Sequence, residues 1–346
     1  MHNRSVGPAA FVRLVHEGML TQAIFAAAEL GVADLLEEGP KDSHALARRT
    51  RCHEPSLRRL MRALVSLGLC RECDGGLFEL TATGAVLCGQ GEDSLHCWTL
   101  MCGRHMRPLW DHLLQSIKDG TVARKLTNDS DGFGTFESDA ESAPIFNNAM
   151  AEITRRIAAA VVRAYDFTAL RRVVDVGGGH GLLLAGVLRS YPLAHGILLD
   201  LPHVIDGAVQ LWKSYGLSER CEFVAGDFFE SIPGAGDAYL LKAVLHDWDD
   251  ERCETILLNC RRVMTPSARL VIVERVMPAR VEPCPSHRGI VWSDLSMMVG
   301  FGGRERTEAD FRRLLAATGF KLSKVVATAF DFCVIEGIPC SARNKQ

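Results

Sequence analysis

Val173-Val174-Asp175-Val176-Gly177-Gly178-Gly179-His180-Gly181 is a β-branched run that carries an acid near its end and breaks into glycines. Followed directly by Leu182-Leu183-Leu184-Ala185, it reads as a parallel strand turning into a helix through a ligand loop. Glycine admits positive φ and lets a ligand approach the main chain closely. In open α/β sheets, loops at the carboxyl ends of strands are where ligands bind.

The glycines alone serve NAD, FAD, nucleotides and S-adenosylmethionine alike, so the next strand ends must choose. Gly196-Ile197-Leu198-Leu199-Asp200 is a second apolar strand ending in a carboxylate, suited to ribose hydroxyls. NAD is disfavoured because the loop spacing is not GxGxxG and Asp175 would stand close to a pyrophosphate. Gly226-Asp227-Phe228-Phe229 adds a third carboxylate at the end of a third strand, with Phe228 available to stack on a purine. Three carboxylates on one sheet edge suit a ligand with a ribose, an amine and a net positive charge. Together with the glycine loop they support S-adenosylmethionine over NAD.

Outward from the loop, strands are expected at 171–176, 196–200, 221–225, 238–244 and 268–274, with helices starting near Gly181, Val204 and Glu251. Alternation of this kind builds a doubly wound, Rossmann-like parallel sheet. Thr307-Glu308-Ala309-Asp310 is a helix-start box, and 321–326 and 330–336 read as a closing antiparallel pair.

Upstream, a long amphipathic helix is expected over 19–36 with a break at Gly31. A short helix capped by Asp42 follows, then one opening at Glu54-Pro55 and stopped by Gly68, then a hairpin over 70–80 around Asp74-Gly75-Gly76. This is the outline of a winged helix. Arg58, Arg59 and Arg62 could meet phosphates, but they alternate with Leu57, Leu60, Met61 and Leu64 at core spacing. With a net charge of -3, neither nucleic acid nor an anionic membrane is the expected partner, and dimerisation is the preferred use. The expected domains are a winged-helix-like dimerisation domain at 1–95, a helical linker and pocket wall at 96–165, and the cofactor domain at 166–346.

Between these domains the pattern is helical, interrupted by a polar, glycine-bearing loop at 118–138. Phe146, Asn147, Met150 and Ile153 share a helix face, and Trp98, Met101 and Met106 form a similar set. Such a stripe reads either as core or as a substrate wall beside the cofactor domain.

A chain of 346 residues with 47% apolar and 23% charged residues is that of a globular protein. No apolar run approaches a membrane span, and the amino terminus, interrupted by Arg4 and Arg13, lacks a signal-peptide core; a cytoplasmic protein is expected. Twelve cysteines at irregular spacing read as reduced thiols, and the one CxxC, Cys70 to Cys73, lacks the further ligands of a zinc site apart from nearby Cys52 and His53.

Past the fourth strand lies Leu245-His246-Asp247-Trp248-Asp249-Asp250. A histidine there stands where a general base is needed and titrates in the right range, although Asp247, Trp248 and Asp250 could equally cap the next helix. Val271-Ile272-Val273-Glu274 ends the fifth strand in a carboxylate that could accept the imidazole N–H and fix its tautomer.

In this order, Asp175 to Gly181, Leu199-Asp200-Leu201-Pro202, Gly226-Asp227-Phe228, Leu245-His246-Asp247-Trp248 and Gly302-Gly303-Arg304-Glu305-Arg306-Thr307 make the chain resemble the small-molecule O-methyltransferases of plants, animals and bacterial antibiotic pathways. The resemblance covers nearly the whole chain. It implies that Gly177, Asp200, Asp227, Phe228 and Lys242 contact S-adenosylmethionine, with Asp200 on the ribose, Asp227 and Phe228 on the adenine and Lys242 at the methionine end or adenine edge; Asp175, Gly179 and Leu201, beside them in the same motifs, complete the expected cofactor site. It implies His246 as base flanked by Glu274 and Glu305, and Asp294 in the substrate pocket. Met297, Met298 and Trp292 beside Asp294, with Phe146 and Met150, complete the expected acceptor lining. A homodimer, an aromatic or polyketide-like acceptor and no metal are further expectations. Moving a proton from a phenol to an ordinary imidazole costs about 5 kcal/mol, which the sulfonium and the paired glutamate would partly offset. The remaining alternatives are N- or C-methylation, a non-methylating reaction on the same fold, and a DNA-binding regulator.

Overall fold

The computed structural model describes residues 7–128 and 142–340. Arg4 and positions 129–138 of the expected loop lie outside these residues. The chain divides into two compact units, Met1–Pro108 with Pro144–Glu152, and Leu109–Ala143 with Ile153–Gln346. The stretch 96–165 is therefore shared between them.

The first unit opens with a helix at Pro8–Glu29, which starts eleven residues earlier than its apolar pattern suggested because Pro8 occupies the first turn, where a missing N–H costs nothing. Gly31, at φ 62°, ends this run and starts Val32–Glu37. Strand β1 (Lys41–Asp42) leads into Ser43–Thr50, where the Asp42 side chain accepts from Ala45 N as a cap. Helix Glu54–Ser66 buries Leu57, Met61 and Leu64 and leaves Arg58, Arg59 and Arg62 exposed. Strands β2 (Cys70–Cys73) and β3 (Leu77–Leu80) form the hairpin, with β1 on the other side of β3. Cys70 and Cys73 are three apart on one strand and point to opposite faces, which removes them as joint ligands of one metal.

In the second unit, β4 (Arg172–Val176), β5 (His195–Asp200), β6 (Cys221–Ala225), β7 (Ala238–Lys242) and β8 (Arg269–Glu274) are parallel. After β9 (Val276–Met277) and β10 (Arg306–Thr307), which pair with each other, come β11 (Phe320–Ala327) and β12 (Cys333–Pro339). The large sheet runs β11-β12-β8-β7-β4-β5-β6, with β12 antiparallel to both of its neighbours, β11 and β8. The order reverses between β4 and β7, the switch point at which this class of sheet opens a crevice.

Alternate strand residues feed two apolar layers. Val173, Leu198, Leu240 and Val271 pack on one face, and Val174, Ile197, Tyr239, Leu241 and Ile272 on the other. Each layer is covered by helices, which is why the strands read as unbroken apolar runs. Part of the expected 118–138 loop is instead helix, at Ala123–Asn128. No helix among the described residues is long and apolar enough to cross a membrane.

Candidate active site

The five parallel strands deliver their last residues to one edge. After β4, Gly177, Gly179 and Gly181 take φ of 65°, 61° and 72°, and the last of these starts helix Leu182–Ser190. A Cβ at Gly177 would come within 3.1 Å of the Phe228 ring, whereas beside Gly179 no protein atom lies within 4 Å of where one would stand. The loop is thus closed on one side and open on the other. Asp200 spans this opening, accepting from Gly179 N at 2.7 Å and from Leu201 N at 2.8 Å, one amide on each oxygen. Each oxygen keeps a lone pair for a ligand hydroxyl. Burial raises the Asp200 pKa, while the Gly179 and Leu201 amides oppose that.

Phe228 meets Phe229 at 4.8 Å and Trp248 at 6.4 Å between ring centroids, and Asn259 pins both backbone carbonyls of the phenylalanine pair at 2.9 and 2.8 Å. Asp227 is turned inward through its Oδ1, which accepts from Phe229 N at 2.8 Å.

Asp175 differs from the other two carboxylates. It is 1% exposed, and neither of its oxygens has a hydrogen-bond partner among the described residues. Burial pushes its pKa up to about 7, Asp200 adds to the rise, and Lys242 opposes it. A Cβ at Gly178 would stand 2.6 Å from this carboxyl group, so the loop lies directly upon it. Asp175 thus presents no exposed hydrogen-bonding edge to the crevice, only its charge. Lys242, across the switch point, donates from Nζ to Thr154 Oγ1 at 3.0 Å; burial lowers its pKa against the pull of Asp175, Glu274 and Asp247.

The strand that ends in Lys242 turns through Ala243, a non-glycine residue at φ 51°. This left-handed step aims three successive amides at one oxygen: Val244 N and Leu245 N donate to Glu274 Oε1 at 3.0 Å each, and His246 N at 3.4 Å. Glu274 is 0% exposed, and its Oε2 stands 3.6 Å from His246 Nδ1, beyond hydrogen-bond reach. The bond expected from Glu274 is made by Glu305 instead: Oε1 lies 3.2 Å from His246 Nδ1. Facing a carboxylate, Nδ1 carries the proton, and Nε2 is the nitrogen left to accept one.

Asp247 flanks that second nitrogen at 3.6 Å. Asp249, whose side chain accepts from Arg252 N at 2.8 Å, caps the following helix. Sequence reasoning missed this division of labour, since neighbouring aspartates look alike until the turn is built. Burial opposes charge on His246, but Glu274, Asp247 and Glu305 outweigh it and hold the ring's pKa up at about 10. Burial likewise raises Asp247 to about 7, against the pull of His246.

The segment before β10 clamps this turn. Arg304 N donates to His246 O at 2.9 Å, and the buried Arg306 donates to Leu245 O at 2.6 Å and to Trp248 O at 2.9 Å. A Cβ on Gly303 would overlap the His246 carbonyl and stand 2.5 Å from the Asp247 carbonyl carbon. Backbone cannot yield as a flexible side chain does, so Gly303→Ala is expected to lower stability by about 2 kcal/mol, read by thermal melting, and to depress kcat far more than cofactor affinity.

Helix Pro285–Gly300 brings up the remaining expected residues. Asp294 Oδ1 accepts from Glu305 N at 2.8 Å, so this residue holds the Glu305 loop; burial raises its pKa, an effect the Glu305 amide opposes. Met297 and Met298 are half-buried on the same helix, and Trp292 is 52% exposed with its ring 5.7 Å from Trp110, a partner the sequence did not single out. Phe146 and Met150 are half-buried on Ser142–Ala164, in the part of that helix counted with the first unit.

Comparison with known proteins accords with this geometry. Residues 110–321 match an O-methyltransferase domain and residues 12–90 an O-methyltransferase dimerisation domain. A phenazine O-methyltransferase from Lysobacter antibioticus is 39% identical over 320 residues, 92% of this chain and 93% of that protein. An 8-amino-8-demethylriboflavin N,N-dimethyltransferase from Streptomyces davaonensis is 33% identical over 318 residues, 90% of each. Among solved structures, LaPhzM superposes with a TM-score of 0.92 at 38% identity, covering 96% of this chain and 98% of that one. Human N-acetylserotonin methyltransferase, solved with S-adenosylmethionine, gives 0.90 at 26% identity, covering 99% of this chain and 100% of that one. A glycine loop backed by a buried carboxylate, an imidazole held between acids and a matched dimerisation domain agree with these likenesses: the chain belongs to the O-methyltransferase family.

Proposed function

We propose that this protein methylates a hydroxyl of an aromatic or polyketide-like small molecule at the expense of S-adenosylmethionine, with His246 as general base. The observation that carries this reading is the imidazole whose Nδ1 is taken by Glu305 and whose Nε2 is left to receive a proton. The residues at the strand ends fit the cofactor: Asp175 supplies a buried negative charge without a partner, Asp200 offers lone pairs, and the space beside Gly179 is open. S-adenosylmethionine, when bound, supplies an electrophilic methyl group on a sulfonium whose positive charge disfavours an imidazolium nearby.

The chain's own part is proton handling and orientation. The carboxylates around His246 hold its ring above an ordinary imidazole, closer to a phenol near pKa 10, which shortens the uphill proton transfer by as much of that rise as survives beside a bound cation. The same carboxylates leave His246 protonated at neutral pH in the ligand-free enzyme. Its proton must leave before the acceptor's can arrive, which a bound cation favours. The acid limb of kcat/KM for the cofactor, which reports the free enzyme, is therefore expected at higher pH than the limb of kcat, which reports the complex. Coincident limbs would mean that cofactor binding does not change the ring's charge.

Trp292, Asp294, Met297 and Met298, all in the second unit, remain proposed acceptor residues, supported by the half-buried or exposed surface of Trp292, Met297 and Met298 and by the place of Asp294 against Glu305; Phe146 and Met150 stay proposed on the sequence pattern. The second reading, N-methylation, is favoured by the similarity to a riboflavin-analogue N,N-dimethyltransferase. S-adenosylhomocysteine release against matched phenols and anilines decides between the two. Turnover on neither would sink both.

The exposed apolar residues of the first helix, among them Phe11, Val15 and Met19, fall largely within the segment matched to the dimerisation domain, and the protein is a homodimer. That match favours dimerisation over the DNA-binding reading of the same segment. A cytoplasmic location belongs to the same proposal and rests on the biosynthetic character of the relatives and the dispersed thiols.

A further inference from the structure

We propose that Ser293 and Arg275 are positioning residues that fix the Glu305 carboxylate and draw part of its charge away from the imidazole, and thereby set the pH above which His246 serves as a base. This rests on the base assignment above. Three groups converge on one oxygen of Glu305: His246 Nδ1 at 3.2 Å, Ser293 Oγ at 2.6 Å and Arg275 Nη1 at 3.8 Å. Ser293 has a single hydroxyl proton, and at that distance it goes to the carboxylate. Its lone pair then takes Arg275 Nη1 at 3.3 Å, which fixes a chain of donation from Arg275 through Ser293 to Glu305. The Arg275 guanidinium is itself seated over the Phe332 ring, 4.4 Å from its centroid.

Glu305 is 6% exposed, and its other oxygen has no partner among the described residues, so Oε1 carries the hydrogen bonds. An anion shared among several donors is a weaker acceptor to each of them. Ser293 and Arg275 thus compete with the imidazolium for the same negative charge. The other charged groups facing this cluster are Glu274 and Asp247 toward the ring, Lys242 toward Glu274, Asp247 and Arg275, Asp294 toward the Glu305 amide and Arg306 toward Glu274.

The sign follows directly. Without the Ser293 hydroxyl, the charge of Glu305 falls more fully on the imidazole and stabilises its protonated form, so a higher pH is needed to free the base. Measurement of kcat against pH for Ser293→Ala is expected to show the acid limb raised by about one unit, a roughly tenfold loss on the acid side that is recovered at high pH, with acceptor KM and cofactor Kd unchanged. Arg275→Gln should move the limb the same way, and Ser293→Thr, which keeps the hydroxyl, should return it toward the wild-type position. A loss equal at every pH would make Ser293 a packing residue and overturn the proposal. So would a limb that stays or falls while His246→Ala is inactive, an outcome that leaves the base standing. If His246→Ala still turns over with an unchanged profile, the base assignment itself fails and takes this proposal with it.

Discussion

His246→Ala is expected to lower kcat by about a thousandfold while cofactor affinity, measured by calorimetry, stays within a few-fold of wild type. The reason lies in where the histidine is attached. Its side chain touches Glu305 and faces Glu274 and Asp247, whereas the glycine loop, Asp200 and Phe228 are held by bonds to other residues. Removing the ring leaves Glu305 with Ser293 and Arg275, and leaves Glu274 on its three amides. The fold should therefore survive the change, which makes the experiment clean. Equal loss of turnover and of cofactor binding would refute the role assigned to this residue.

Asp175→Asn should separate stability from cofactor binding. The Asp175 carboxyl has a folded-state pKa raised to about 7, well above its unfolded value. Below the unfolded value both states are protonated and the residue costs nothing. As pH rises toward 7 the unfolded chain ionises first, and stability is lost progressively until the native carboxyl ionises too. The full cost is on the order of 4 kcal/mol above that point. The asparagine variant is thus expected to melt higher than wild type at pH 8, with the advantage shrinking by pH 5, and to bind the cationic cofactor more weakly at pH 8. A variant that gains stability and keeps full affinity would show that the buried charge does not serve the ligand.

Much of this arrangement is legible in the sequence for a simple reason. Parallel strands buried on both faces must be apolar throughout, so Asp175, Asp200, Lys242 and Glu274 stand out at or near their ends, and parallel alignment carries those ends to one edge. What could not be read is which carboxylate bonds the imidazole. That depends on Gly303 allowing one backbone to lie against another 57 positions away in the chain, a contact that leaves no periodicity. Ser293 and Arg275 were missed on the same ground: a serine in a helix and an arginine after a strand carry no signal until Glu305 is placed between them. The depth of Asp175 was hidden too, because its position in the strand fixes the face it occupies but not that Gly178 closes over it. The first helix was read short because Phe11, Val12, Leu14 and Val15 are exposed, so their spacing does not follow the internal core that the apolar pattern reports.

The left-handed step at Ala243 has a wider effect on how this enzyme can change. Glu274 is gripped by amides 244 to 246, and the turn itself is gripped through the carbonyls of Leu245, His246 and Trp248. Main-chain atoms are the same whatever side chain they bear, so the address of the base is written largely in a part of the polymer that point mutation does not rewrite. The proposed acceptor side chains of Met297 and Met298, by contrast, hang from a helix whose backbone bonds do not depend on what those side chains are. On the roles proposed above, altered acceptor preference is open to selection one residue at a time, while the proton-transfer apparatus stays where it is.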